Sequence, residues 1–190
     1  YYGMAPEIAE DEDLREAFRV AIDKRMEFRR HEDGSAMAFG FTQLGMSAAH
    51  LGDTDLAYES VEYLVNSYWS PAMVSQHDPR FTMNLDISGG LPAVIITMLV
   101  QSLQPDRPDG PWLIRLLPAL PDAWPTGKLR GVRCRGGFEA DVSWRDGVLQ
   151  TATITSLRGE PCRVEYGDRS VPLSLARDNS CSLTAGLEKQ

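Results

Sequence analysis

Near residue 105 the hydrophobic period changes from that of a helix to that of a strand. A chain that keeps both periods in separate halves must fold as α+β, because each period buries its apolar face in a different way. In the first half Leu14, Phe18, Ala21 and Ile22 share one helical face, and acids crowd the first turn where the helix dipole favours them, predicting a helix over 11–31. Met37, Phe41, Leu44, Ala48 and Leu51 form a second stripe, with Gly40, Gly45, Ser47 and Ala49 small enough for another helix to approach. Gly52-Asp53-Thr54 ends that helix and caps the next, whose stripe is Ala57, Val61, Leu64, Val65 and Tyr68. The short link predicts an antiparallel helical hairpin. A fourth helix is expected over 91–103, with Pro92 in its first turn and apolar residues all round.

The second half reads as strands at 112–117, 129–135, 138–144, 148–157, 161–166 and 170–175, with Asp146-Gly147 as a hairpin turn. Turn signals at such short intervals predict a small antiparallel β-sandwich. The expected domains are 1–108, helical, and 109–190, a β-sandwich. The chain opens at Tyr1 inside what reads as folded sequence, and is expected to be a piece of a longer protein.

Charge narrows the function. A net charge of −8 and a pI near 4.9 argue against binding nucleic acid or an anionic membrane. No apolar run reaches the ~18–20 residues that span a bilayer, and no basic-then-apolar leader opens the chain. Cys134, Cys162 and Cys181 are too few for a disulfide framework, and His31, His50 and His77 show no ligand spacing, so no metal is expected. No phosphate-binding glycine loop or nucleophile elbow is present, and no organic cofactor is implied.

The irregular stretch over 70–90 invites a functional reading, since loops of this length are often functional. Asp86 stands between Leu85 and Ile87, which predicts a partly desolvated carboxylate and a stronger base. Local sequence alone favours a simpler role, with Asp86 or Ser88 capping the following helix. Trp69, Phe81 and Trp112 are possible stacking faces for a sugar; for Trp112 and Trp144, packing is the favoured reading.

Over 116–166 the sequence resembles the C-terminal β-domain of family 95 glycoside hydrolases, the α-L-fucosidase family that also contains α-L-galactosidases. The resemblance rests on LLPALP-x-x-W-P at 116–125, G-x-x-x-R-G-G-F-E at 131–139 and S-L-R-G at 156–159. Upstream, MNLDISGG at 83–90 is similar to the family's F-Q-I-D-G-N-F-G segment, and Leu51-Gly52-Asp53 to its helix–helix turn. The resemblance implies the last helices of an (α/α)6 barrel followed by the β-domain, and an inverting hydrolase acting on an α-linked L-sugar. It makes Asp86 the general base, with the general acid and assisting asparagines upstream of this chain. Arg80 stands where the family has a sugar-contacting histidine, with His77 three residues before it; Arg80, His77, Phe81 and Asn84 are the expected sugar-binding residues. Ile87 and Ser88 replace the glycine and asparagine after the aspartate, and 38–43 replaces a G-W-S-x-A-W motif.

Such an enzyme is expected to be secreted or periplasmic, with a carbohydrate as its partner. Barrel helices left without neighbours are expected to self-associate. Two rival readings are a helical scaffold and a non-catalytic carbohydrate-binding module; no second copy at a period near 34 residues supports the former.

Overall fold

The computed structural model describes residues 8, 11–31, 37–78, 83–105 and 107–190. They form two compact units, 1–98 and 99–190. The division falls ten residues before the expected 108.

The first unit is helical. Helix α1 (Glu12–His31) runs as predicted, but only Ile22 of the expected stripe is buried, joined by Met26 one turn on. Helices α2 (Ala38–Leu51) and α3 (Thr54–Ser67) form the hairpin. Gly52 closes α2 in the left-handed conformation, at φ 76°, and its N–H reaches back to the carbonyls of Ala48 and Ala49. The Asp53 carboxylate then caps α3 by accepting the Leu56 N–H at 3.1 Å. Phe41 lies buried in this unit, stacked on Tyr63 at 4.6 Å and tilted against Tyr68.

Small residues do the work the sequence assigned them. A Cβ on Gly45 would come within 2.9 Å of both Ser60 and Val94, and one on Gly90 within 2.5 Å of Thr42. The glycines therefore let α2 approach its neighbours.

The fourth helix departs from expectation. Helix α4 (Asp86–Leu99) begins five residues earlier than predicted, so Pro92 lies inside it and deprives the Ser88 carbonyl of its helical donor. It is also buried on one side only: Ile87, Val94 and Met98 are fully covered while Ile96 is exposed. Its expected last turn is a strand instead. Val100–Leu103, apolar enough for either structure, pairs with a strand of the second unit, and that pairing decides its conformation.

The second unit holds two four-stranded sheets. The first is ordered β1 (Val100–Leu103), β2 (Trp112–Leu116), β6 (Pro161–Tyr166), β7 (Arg169–Ser174); the second β3 (Gly127–Cys134), β4 (Phe138–Arg145), β5 (Val148–Ser156), β8 (Ser180–Thr184). All neighbours are antiparallel except β2 and β6, which run parallel with Trp112 opposite Cys162. The expected antiparallel architecture holds, with this one parallel pair arising because β2 and β6 are far apart in sequence and meet without a hairpin. On β4 the alternation is as read: Phe138, Ala140, Val142 and Trp144 face inward. Asp146 and Gly147, both at positive φ, make the tight turn into β5.

Candidate active site

After α3 the chain makes a double-backed hook that delivers three polar side chains to the start of α4. Pro71 sits in a turn closed by the Met73 N–H on the Ser70 carbonyl at 2.8 Å, which lets Trp69 pair with Ser75. The strand-like stretch continues, and Gln76 pairs with Met83. Ser75 locks the return: its carbonyl accepts the Asn84 N–H at 3.1 Å, and its hydroxyl donates to the Asn84 carbonyl at 2.5 Å. The His77 carbonyl accepts the Ala38 N–H at 2.8 Å, tying the hook to the start of α2.

His77, Asn84 and Asp86 come together. The Asn84 amide nitrogen donates to the Asp86 carboxylate at 2.7 Å and to His77 Nδ1 at 2.8 Å, while its amide oxygen accepts the Asp86 backbone N–H at 3.0 Å. That third bond fixes the amide: flipping it would set its oxygen against the carboxylate and its NH2 against an N–H. With the orientation assigned from this network, His77 Nδ1 is an acceptor and the ring proton resides on Nε2. His77 Nδ1 also lies 3.7 Å from the Asp86 carboxylate. Both side chains reach solvent, at 34% and 38% exposure.

Two expectations change. Asp86 is not desolvated by its apolar neighbours, because Leu85 points outward and is 73% exposed. Ser88 is engaged elsewhere, its hydroxyl 2.9 Å from that of Ser75. Asp86 is the first residue of α4, a favourable place for negative charge. Arg80 and Phe81 lie outside the described residues. Ser75, which orders the whole hook, is a serine in an irregular stretch and carries no sequence signal that marks it.

The cluster can hold a carboxylate in a fixed orientation beside a histidine N–H donor. Among the described residues no group of three or more His, Cys, Asp or Glu is placed to hold a metal ion. Among the described residues no helix is long and apolar enough to cross a membrane.

The match to a family model bears on the other unit. Residues 112–185 match the family model described as glycoside hydrolase family 95, C-terminal domain. Over these residues the chain is similar to the family 95 C-terminal domain. Alpha-L-fucosidase 2 of Arabidopsis thaliana is 38% identical over 95 residues, 50% of this chain and 10% of that protein. Probable alpha-fucosidase A of Aspergillus oryzae is 26% identical over 117 residues, 57% of this chain and 16% of that protein. The matching stretches thus span between a tenth and a sixth of these relatives. The matched stretch lies within the two-sheet unit and runs from β2 to β8; it leaves out β1, and it does not include His77, Asn84 or Asp86.

Proposed function

We propose that this chain is the C-terminal portion of an inverting glycoside hydrolase that cleaves α-linked L-sugars, as the names of its fucosidase relatives suggest. In this reading residues up to the 98/99 division are the last helices of an (α/α)6 barrel, and the family 95 β-domain follows. The observation that carries it is the convergence of His77, Asn84 and Asp86 at the mouth of the hook.

Asp86 is the general base. Its carboxylate takes a proton from water as that water attacks the anomeric carbon, and a general acid elsewhere in the longer protein protonates the leaving oxygen. Inversion needs the two groups roughly 6.5–9.5 Å apart, with the water between them. Asn84 holds one carboxylate oxygen, leaving the other for the water, and so acts as a positioning residue. His77 presents Nε2–H to a sugar hydroxyl. Arg80 and Phe81 are further sugar-binding residues in this reading. The apolar faces left open on the helices would be covered by the rest of the barrel in the longer protein, and would drive self-association in this chain alone.

In the longer enzyme Asp86→Asn should lower kcat by about a hundredfold to ten-thousandfold with little change in KM. The 190-residue chain alone should be silent on a fluorogenic α-L-fucoside. An Asp86→Asn enzyme of undiminished kcat would refute the base; turnover by the short chain, abolished by the same substitution, would refute an acid supplied from outside it.

A further inference from the structure

We propose that the two-sheet unit carries a second saccharide-binding site, built on Trp112 and independent of Asp86. A cleft of about 580 Å³ opens between Gln104, Pro105 and the turn over 107–110 on one side and the start of β6 on the other. That is within the range of pockets that take small ligands.

Trp112, at the start of β2, gives the cleft its aromatic surface. Its ring is held by a glycine. A Cβ on Gly136 would lie 2.4–2.5 Å from Cγ, Cδ1 and Cδ2 of the indole, near-equal distances that set this glycine over the face of the five-membered ring. Gly136 is also at φ +79°, which suits glycine. One face of the indole is thus braced on backbone, and the half-buried ring meets the cleft in a fixed orientation. A rigid aromatic surface costs little ordering entropy on binding.

The rim supplies what hydroxyl groups need. Arg107, Asp109 and Glu160, all exposed, line the cleft with Gln104, offering both donors and acceptors. Two carboxylates against one guanidinium disfavour a phosphate or another anion, and Arg107 opposes an organic cation on the indole. What remains is a neutral polyol with an apolar face. A pyranose is such a ligand: its C–H face stacks on the indole while its hydroxyls reach the rim. The packing role that the sequence favours for Trp112 holds for the face on Gly136; the half-buried ring also lines the cleft.

The test is a 1H–15N NMR titration of the 190-residue chain with methyl α-L-fucopyranoside and, separately, methyl β-D-galactopyranoside. The Trp112 indole resonance is assigned by its disappearance in Trp112→Phe. Saturable shifts of that resonance with either glycoside are expected, with a Kd of roughly millimolar order. Arg107→Ala with Glu160→Ala, both at exposed positions and so compatible with folding, should weaken binding about tenfold, and Trp112→Ala should abolish it, as read on the backbone amides of Asp109, Gly110 and Glu160 that line the cleft. Asp86→Asn should leave the titration unchanged, which separates this site from the proposed catalytic one. The proposal is overturned if neither glycoside saturates the resonance, if the rim variants bind as the parent does, or if Asp86→Asn removes the shift.

Discussion

The two units handle their apolar surface differently. Of the twelve large hydrophobic residues exposed among those described, eleven lie in the helical unit, among them Leu14, Phe28, Met73 and Leu85. Val148 is the one in the two-sheet unit. The sheets close on themselves, since alternation sends every second side chain inward and the ladders satisfy the backbone between. Helices expose whatever their neighbours do not cover, and here α1 keeps only Ile22 and Met26 buried. The two-sheet unit is a finished object, whereas the helical unit has the surface of something meant to be packed against, in keeping with its proposed place at the end of a barrel.

The sharpest probe of that contrast is a matched pair of core truncations. Phe41 and Phe138 are equally buried, at 1% exposure, one in each unit. Phe138→Ala should cost about 3–5 kcal/mol, the usual loss for a buried aromatic. Phe41→Ala should cost about as much, because it loses the stack on Tyr63 and the tilted contact with Tyr68. Amide exchange read separately in the two units is the measurement. A cost below about 1 kcal/mol for Phe41→Ala alone would mean that the helical unit, for all its buried centre, is not cooperatively packed without further helices.

A smaller effect separates two turns within the sheets. Gly136 and Gly147 both adopt positive φ, at +79° and +74°, but only Gly136 faces a side chain, the Trp112 ring. Gly147→Ala should cost about 1–2 kcal/mol from backbone conformation alone. Gly136→Ala should add about 1–3 kcal/mol of crowding to a similar penalty. Urea midpoints at equal m-value would show the difference. Equal costs would mean that Trp112 yields freely, and the braced platform would be lost with it.

The same asymmetry governs what could be read from sequence. Strands β2 to β7 lie within two residues of their predicted bounds, because each is local: alternation fixes the face, and Asp146-Gly147 or Gly136-Gly137 fixes the reversal. What was missed depends on distant partners. Val100–Leu103 continues a helical pattern without a break, and becomes a strand through pairing with Leu113 to Leu116. Ser180–Thr184 carries little strand signal and is recruited by Thr151 to Thr155. The parallel pairing of β2 with β6 is topology that no local pattern encodes. At the candidate site, Asp86 and His77 could be named from the resemblance. Their meeting through Asn84 depends on the Ser75 hydrogen bonds and on pairing across the hook, which composition does not reveal.

A pH-dependent effect again divides the units, through their thiols. All three cysteines lie in the two-sheet unit. Burial, and then the neighbouring Cys162, pushes the Cys134 thiol up to about 12; burial, and then Cys181, does the same for Cys162. In the unfolded chain these thiols ionise from an ordinary value of 9.0. Between the two values the unfolded state holds fewer protons than the folded one, so stability is intact below pH 9 and falls as pH rises toward 12. Each thiol contributes up to about 1.4 kcal/mol per pH unit in that window. Urea unfolding from pH 8 to 10.5, followed by tryptophan fluorescence, should give a declining stability whose slope is shallower in Cys134→Ala and in Cys162→Ala, whatever packing either loses at pH 8. An unchanged slope in both would show that the alkaline loss arises elsewhere, and that the closed core of the sheets does not hold its thiols neutral.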